Sequence, residues 1–474
     1  MDVRRWGLAL GALLLASTVT AAVQIDSTCD GPVVKVEAST KEGLQAAIEQ
    51  ASSVWRIHGN SATINLRPGQ LSALEMTEGI ANVTVTIPDL AALVGEQAAR
   101  RSKNWTVADS IASRCSDSQK ARASPKLCGA QNDPFFDEYR EVELIHLYME
   151  ALALEHPEIT TFIPSVGDSY EGRPIPALMI GGEDGGDAVF LQAELHAREW
   201  ITPSTAMFIA VELLESDNPE WREIVQLLKF IIIPVANPDG YVHTWTDGGR
   251  QWRKSRSPNE GSECVGTDLN RNWDDGSWGG PGASADPCSG TYRGSAPFSE
   301  VETAQIAEFL SQFVGPEGKR KMAKHPAHLV GGIDYHSFGQ VFLRPYAWAS
   351  TTTNPPPNDE DVATIGQAMA DAAGATPDGV PYTSGGWHDD LYPSSGVCGD
   401  YLYNITSSNP DEIKDGVAFT AELRDLGQFG FVLPDSEIVP TAVEQVAALK
   451  EFVRGVLLQR RGKDWSSLGA AKQQ

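Results

Sequence analysis

Residues 188–200 read AVFLQAELHAREW. The stretch opens with a short apolar run, Ala188 to Leu191, of the kind that forms a buried strand. It closes on His196, Arg198 and Glu199. His196 and Glu199 are three residues apart, so a tight turn or a helix start points both at one ion. A neutral imidazole and a carboxylate suit Zn²⁺, which in catalytic sites takes three protein ligands and keeps a fourth position open. A second apolar run, Gly331 to Tyr335, ends on His336 and offers the third ligand. His-x-x-Glu alone recurs by chance in a chain with nine His, so the rest of the sequence has to decide.

The chain has 474 residues, enough for two or three domains, one with a large core. Its 41% hydrophobic and 21% charged content is ordinary for a globular protein. A net charge of -26 opposes binding to nucleic acid or to an anionic membrane surface, because like charges repel. Residues 1–22 have the pattern of a signal peptide: Arg4 and Arg5, an apolar segment from Gly7 to Ala16, then small residues to Ala22. The apolar segment is too short to span a bilayer, so the expectation is a secreted, extracellular monomer. Export permits disulfides among the six Cys and glycosylation at the sequons of Asn82, Asn104 and Asn404.

Residues 30–90 alternate as β-α-β-β-α-β, the ferredoxin-like split arrangement, with helices over Thr40 to Ala51 and Pro68 to Glu78. From Gly95 to Asn132, basic residues including Arg100, Arg101, Lys103, Arg114 and Lys120 gather among Ser, Ala and Asp. This reads as an exposed connector that a trypsin-like protease can cut, and Cys115 and Cys128 could pair across it. From Asp133 onward, apolar strand-like runs alternate with amphipathic helical runs. That pattern predicts an α/β domain with a mostly parallel or mixed sheet and helices on both faces. Ligands of such sheets bind beyond the carboxyl ends of strands, which is where His196 and His336 fall.

The motifs HAREW (196–200), WRKSR (252–256), DLNRNW (268–273), DYHS (334–337) and AELRD (421–425) occur in that order. In this combination the chain resembles the zinc procarboxypeptidases of the pancreatic A/B type. The likeness runs from about Asp133 to Arg461, with a weaker one over the N-terminal unit to the family's propeptide. It implies a carboxypeptidase-like α/β/α sandwich, divided as signal peptide (1–22), propeptide (23–100), connector (101–132), catalytic domain (133–462) and tail (463–474).

By the resemblance, His196, Glu199 and His336 hold one Zn²⁺, and Asp268 is the carboxylate that orients the first His. Glu422 is the general base toward the metal-activated water, and Arg256 stabilises the oxyanion. Asn270, Arg271 and Tyr392 clamp the substrate's terminal carboxylate, a task for which a planar guanidinium is suited, and Arg198 joins them in binding substrate. Cys264 and Cys288 form the family's disulfide, which leaves Cys29 and Cys398 unassigned. The position that sets terminal-residue preference is Gly399, where relatives for apolar residues carry a branched side chain and those for basic residues an Asp. A Gly there implies a deep pocket and a lean toward apolar or aromatic ends. The alternatives are a B-type preference for basic ends and a catalytically silent zinc-binding scaffold.

Overall fold

In the computed structural model, which describes residues 31–99, 105–113, 130–182, 186–314, 327–407 and 416–461, the alternation Val33-Val34-Lys35-Val36 becomes strand β1 (Val33–Ala38). Thr40 then caps helix Lys41–Gln50, its hydroxyl accepting from the Gly43 amide at 3.0 Å. Strands β2 (Ser53–His58) and β3 (Ser61–Asn65) form a hairpin, and β4 (Ile80–Ile87) completes an antiparallel sheet of order β2-β3-β1-β4. The ferredoxin-like order is as expected. The second helix is shorter than its sequence suggests, Leu71–Glu75, because Gly79 at φ 84° turns the chain into β4.

The start of the connector is not simply solvated. Helix Leu90–Ala99 runs through Gly95, and its Gln97 is buried, donating to the Leu433 carbonyl and accepting from Arg250 Nε at 2.9 Å. Beyond it, Trp105 packs edge-on against Phe135 and Tyr148, and helix Val107–Ser113 follows. Ser110 in that helix donates to the buried carboxylate of Asp133. The expected signal peptide, most of the basic connector, Cys29, Cys115, Cys128, Asn104 and the tail lie outside the described residues.

Among its described residues the large domain holds eight strands: β5 (Thr160–Ile163), β6 (Ala177–Ile180), β7 (Asp187–Ala193), β8 (Leu228–Ile233), β9 (His328–His336), β10 (Val341–Arg344), β11 (Thr383–Gly386) and β12 (Ala418–Glu422). Their order is β11-β10-β12-β9-β7-β8-β6-β5. The four central strands β12, β9, β7 and β8 are parallel, and β10 and β6 join them antiparallel, so the sheet is mixed. Both faces are covered, which is why residues 188–191 of β7 read as an unbroken apolar run. Val189 and Leu191 enter one core with helices Ile201–Glu215, Asp359–Gly374 and Ile438–Arg461. Ala188 and Phe190 enter the opposite core with helices Val301–Ser311 and Cys398–Thr406. No helix of the described residues is long and apolar enough to cross a membrane.

A metal centre and substrate cleft

The carboxyl ends of three adjacent parallel strands meet at one point. In the register Ala193 lies beside Tyr335, and His336 beside Glu422. Beyond β7 the chain turns through Glu194 at φ 57°. His196 and Glu199 follow in the turn before helix Ile201–Glu215, which a Glu199 amide to His196 carbonyl bond of 3.1 Å closes and a Thr202 amide to Glu199 carbonyl bond of 2.9 Å ties to the helix. Strand β9 delivers His336 and strand β12 delivers Glu422.

His196, Glu199 and His336 are all buried, with one potential ligand atom from each lying within 4.8 Å of the others. Both imidazoles turn Nδ1 inward. His196 Nδ1 is 2.9 Å from Glu199 Oε1 and 2.9 Å from His336 Nδ1, which is 3.0 Å from Glu199 Oε2. Both turn Nε2 onto a carboxylate: His196 Nε2 is 3.1 Å from Asp268 Oδ1, and His336 Nε2 is 2.8 Å from Asp334 Oδ2. Two imidazoles and one carboxylate, buried and convergent, fit the donor set that Zn²⁺ takes in catalytic sites.

The charges in the centre are strongly coupled. Burial opposes ionisation of Glu199, but His196 and His336 beside it hold its pKa below the usual carboxylate value. Burial likewise opposes charge on Asp268, and Arg253 and His196 more than offset it, keeping the group well below its ordinary value. Burial and the nearby Arg253 cation push His196 down. Burial alone would lower His336 too, yet Asp334 and Glu199 raise it well above its ordinary value. Glu422 is pushed up to about 7 by burial, against the pull of His336 and with a further push from Glu199.

The cleft above this centre is lined by Asn270, Arg271, Tyr392 and Glu422, together with Arg253 and Phe338. Arg271 is 1% exposed; its Nε donates to the Gly282 carbonyl at 2.9 Å and its Nη1 to the Asn270 carbonyl at 2.6 Å. Its Nη2 is buried with no hydrogen-bond partner, leaving one edge of the guanidinium for an incoming acceptor. Arg256 and Arg198 lie outside that lining. The Arg256 guanidinium sits 4.4 Å over the Trp252 ring in the field of Glu171 and Asp239, and Arg198 lies 3.9 Å over Phe431. Of the WRKSR cations, Arg253 is the one that reaches the centre: its Nη2 donates to Asp268 Oδ2 at 2.9 Å, and its Nη1 is 3.2 Å from His196 Nδ1.

Cys264 and Cys288 are joined, closing the loop that holds DLNRNW. Cys398 is a buried free thiol near Gln192. Gly399 is buried too, and a Cβ there would stand 2.7 Å from Thr420 Oγ1. Thr420 therefore occupies space that the sequence reading left open below Gly399. Of the sequons, Asn82 is exposed on β4, whereas Asn404 lies in helix Cys398–Thr406 with its amide donating to the Asp275 carbonyl at 2.9 Å.

The N-terminal unit reaches into the same cleft. Trp55 of β2 packs on Phe431 and Phe338 with ring centroids 5.1 Å and 6.2 Å apart. Arg56 lines the cleft beside Glu422, its Cζ 3.4 Å from where a Cβ on Gly339 would stand. His58 Nδ1 is 3.1 Å from the Asp390 carbonyl on the far rim.

Asp334, Arg253 and Trp55 are the residues that reading by sequence passed over. The period of a strand carried a signal for the first, since Asp334 is two residues before His336 and so shares its face.

The sequence model of the zinc carboxypeptidase family, Peptidase_M14, matches residues 145–448. A zinc carboxypeptidase of Simulium vittatum is 38% identical over 318 residues, covering 67% of this chain and 96% of the relative. Carboxypeptidase B of Bos taurus is 35% identical over 325 residues, covering 68% of this chain and 72% of the relative. Among solved structures, that of thrombin activatable fibrinolysis inhibitor aligns with a TM-score of 0.72 at 26% identity, over 90% of this chain and 98% of its own.

Proposed function

The chain belongs to the zinc carboxypeptidase family as a metallocarboxypeptidase with a Zn²⁺ cofactor, and we propose that it is exported as a precursor and removes C-terminal residues singly from peptides. The observation that carries this reading is the meeting of His196, Glu199, His336 and Glu422 at the ends of β7, β9 and β12. Zinc held by His196, Glu199 and His336 would supply Lewis-acid polarisation of the scissile carbonyl and acidify a water.

The chain's own residues do the rest. Glu422, poised by burial near neutrality, takes the proton of the attacking water and passes it to the leaving amine. Arg253 faces the centre and supplies a fixed positive charge where the oxyanion develops, which assigns to it the task expected of Arg256. The open edge of Arg271, with Asn270 and Tyr392 lining the same cleft, receives the terminal carboxylate and restricts cleavage to the last residue. Gly399 and Thr420 bound the pocket for the terminal side chain, with apolar or aromatic ends preferred.

The precursor reading is supported by Trp55 and Arg56, which stand in the cleft a substrate would use. Cleavage of the connector by a trypsin-like protease would free it. The decisive experiment is mass spectrometry of a mixed peptide pool with trypsin-treated protein, trypsin being inhibited beforehand, with and without a zinc chelator. Loss of single C-terminal residues, abolished by chelator and in Glu422→Gln, is expected. Intact peptides with zinc-loaded, folded protein would favour a silent scaffold instead.

A further inference from the structure

We propose that Asp334 is a second positioning carboxylate of the metal centre, fixing His336 as Asp268 fixes His196. The proposal rests on the assignment of His196, Glu199 and His336 as the zinc ligands. Asp334 is fully buried and its Oδ2 is 2.8 Å from His336 Nε2, closer than the 3.1 Å between Asp268 Oδ1 and His196 Nε2.

Two groups contact His336 Nε2. Asn270 Oδ1 accepts from the Cys398 amide at 2.8 Å, so the Asn270 amide nitrogen is the end that faces Nε2, at 3.2 Å. The Asp334 carboxylate is closer, at 2.8 Å, and as an acceptor it places the proton on Nε2. His336 is therefore held as the Nε2–H tautomer, with the Nδ1 lone pair directed at Glu199 and His196. Asp334 is itself oriented: Gln192, its register partner on β7, donates from Nε2 to Asp334 Oδ1 at 3.2 Å. Each imidazole is thus backed by a carboxylate, an arrangement that fixes the ring and makes it a more basic donor.

The test is zinc affinity, measured by competition with a chromophoric chelator on the full chain, for wild type, Asp334→Asn, Asp268→Asn and His336→Ala. Loss of an outer carboxylate of this kind costs about 10–100-fold in metal affinity, so Asp334→Asn should weaken zinc binding by that factor, comparably to Asp268→Asn. Gln192→Leu keeps the charge and frees its orientation, and should shift affinity in the same direction by less. Melting of the metal-free proteins separates the roles. A lowered melting point with wild-type zinc affinity in Asp334→Asn would make the residue merely structural and overturn the proposal. If Asp334→Asn does not fold, wild-type affinity in Gln192→Leu overturns it. Wild-type zinc binding that survives His336→Ala would instead overturn the ligand assignment beneath it.

Discussion

Arg253 donates to Asp268 across 2.9 Å, with 13% of the arginine side chain and none of the carboxylate exposed. The pair holds a guanidinium 3.2 Å from His196 Nδ1, at the floor of the cleft. Because Asp268 also accepts from His196 Nε2, one carboxylate orients both the first imidazole and the arginine above it. Arg256, three residues on, stacks on Trp252 instead.

The pair predicts a clean separation of two neighbouring arginines. Arg253→Ala removes a fixed cation from the reacting centre, and removal of one such group costs about 10²–10³ in kcat. Arg256→Ala removes a partly exposed stacking contact outside the cleft and should leave kcat within a few-fold of wild type. Steady-state kinetics on one dipeptide substrate decides it. A large loss in Arg256→Ala with little in Arg253→Ala would return the oxyanion role to Arg256.

Much of this site was legible in the sequence because its three strands are buried on both faces and read as apolar runs that end in His or Glu. What escaped was decided by tertiary contact. Strands β5, β10 and β11 have four residues each, too short for any alternation to stand out. In WRKSR, three cations share an irregular stretch with no period to say which points inward. The space under Gly399 depends on Thr420, which β12 brings from 21 residues downstream, and no local pattern reports that.

Contact of the N-terminal unit with the cleft predicts latency. Trp55 is 8% exposed and packs on Phe338 and Phe431. Truncating a buried Trp costs about 3–5 kcal/mol, and each 1.4 kcal/mol of lost docking is about a tenfold change in the open fraction. The double variant Trp55→Ala, Arg56→Ala should therefore raise the activity of the uncut chain at least about tenfold, while trypsin-treated samples match wild type. An uncut double variant as inactive as the uncut wild type would show that other contacts hold the unit in place.

His146 predicts a pH dependence of stability remote from the metal centre. It lies in helix Val142–Glu155 with Nε2 buried and unpartnered, and burial pushes its pKa down from 6.5 to about 4. Below about pH 6.5 the unfolded chain takes up a proton there that the folded chain refuses. Stability is therefore lost as pH falls from about 6.5 to about 4, with nothing further from this group below that. His146→Gln cannot titrate and should flatten the slope of chemical-denaturation stability over that window. An unchanged slope would mean that the imidazole is solvated.

Gly399 and Thr420 together predict how terminal-residue preference responds to substitution. An Asp at position 399 would put a carboxylate in the pocket and should shift preference toward terminal Lys or Arg. Its Cβ, however, would come 2.7 Å from Thr420 Oγ1, a hydroxyl that is buried without a partner. Thr420 must then rotate or recede, and overpacking of this kind typically costs about 1–3 kcal/mol. Gly399→Asp alone should accordingly switch preference while lowering the melting point, and adding Thr420→Ala should restore stability and keep the switch. The ratio of kcat/KM for peptides ending in Lys and in Phe, read beside thermal melts, tests both halves. A ratio that stays at its wild-type value in the well-folded double variant would show that the terminal side chain binds elsewhere than between these two residues.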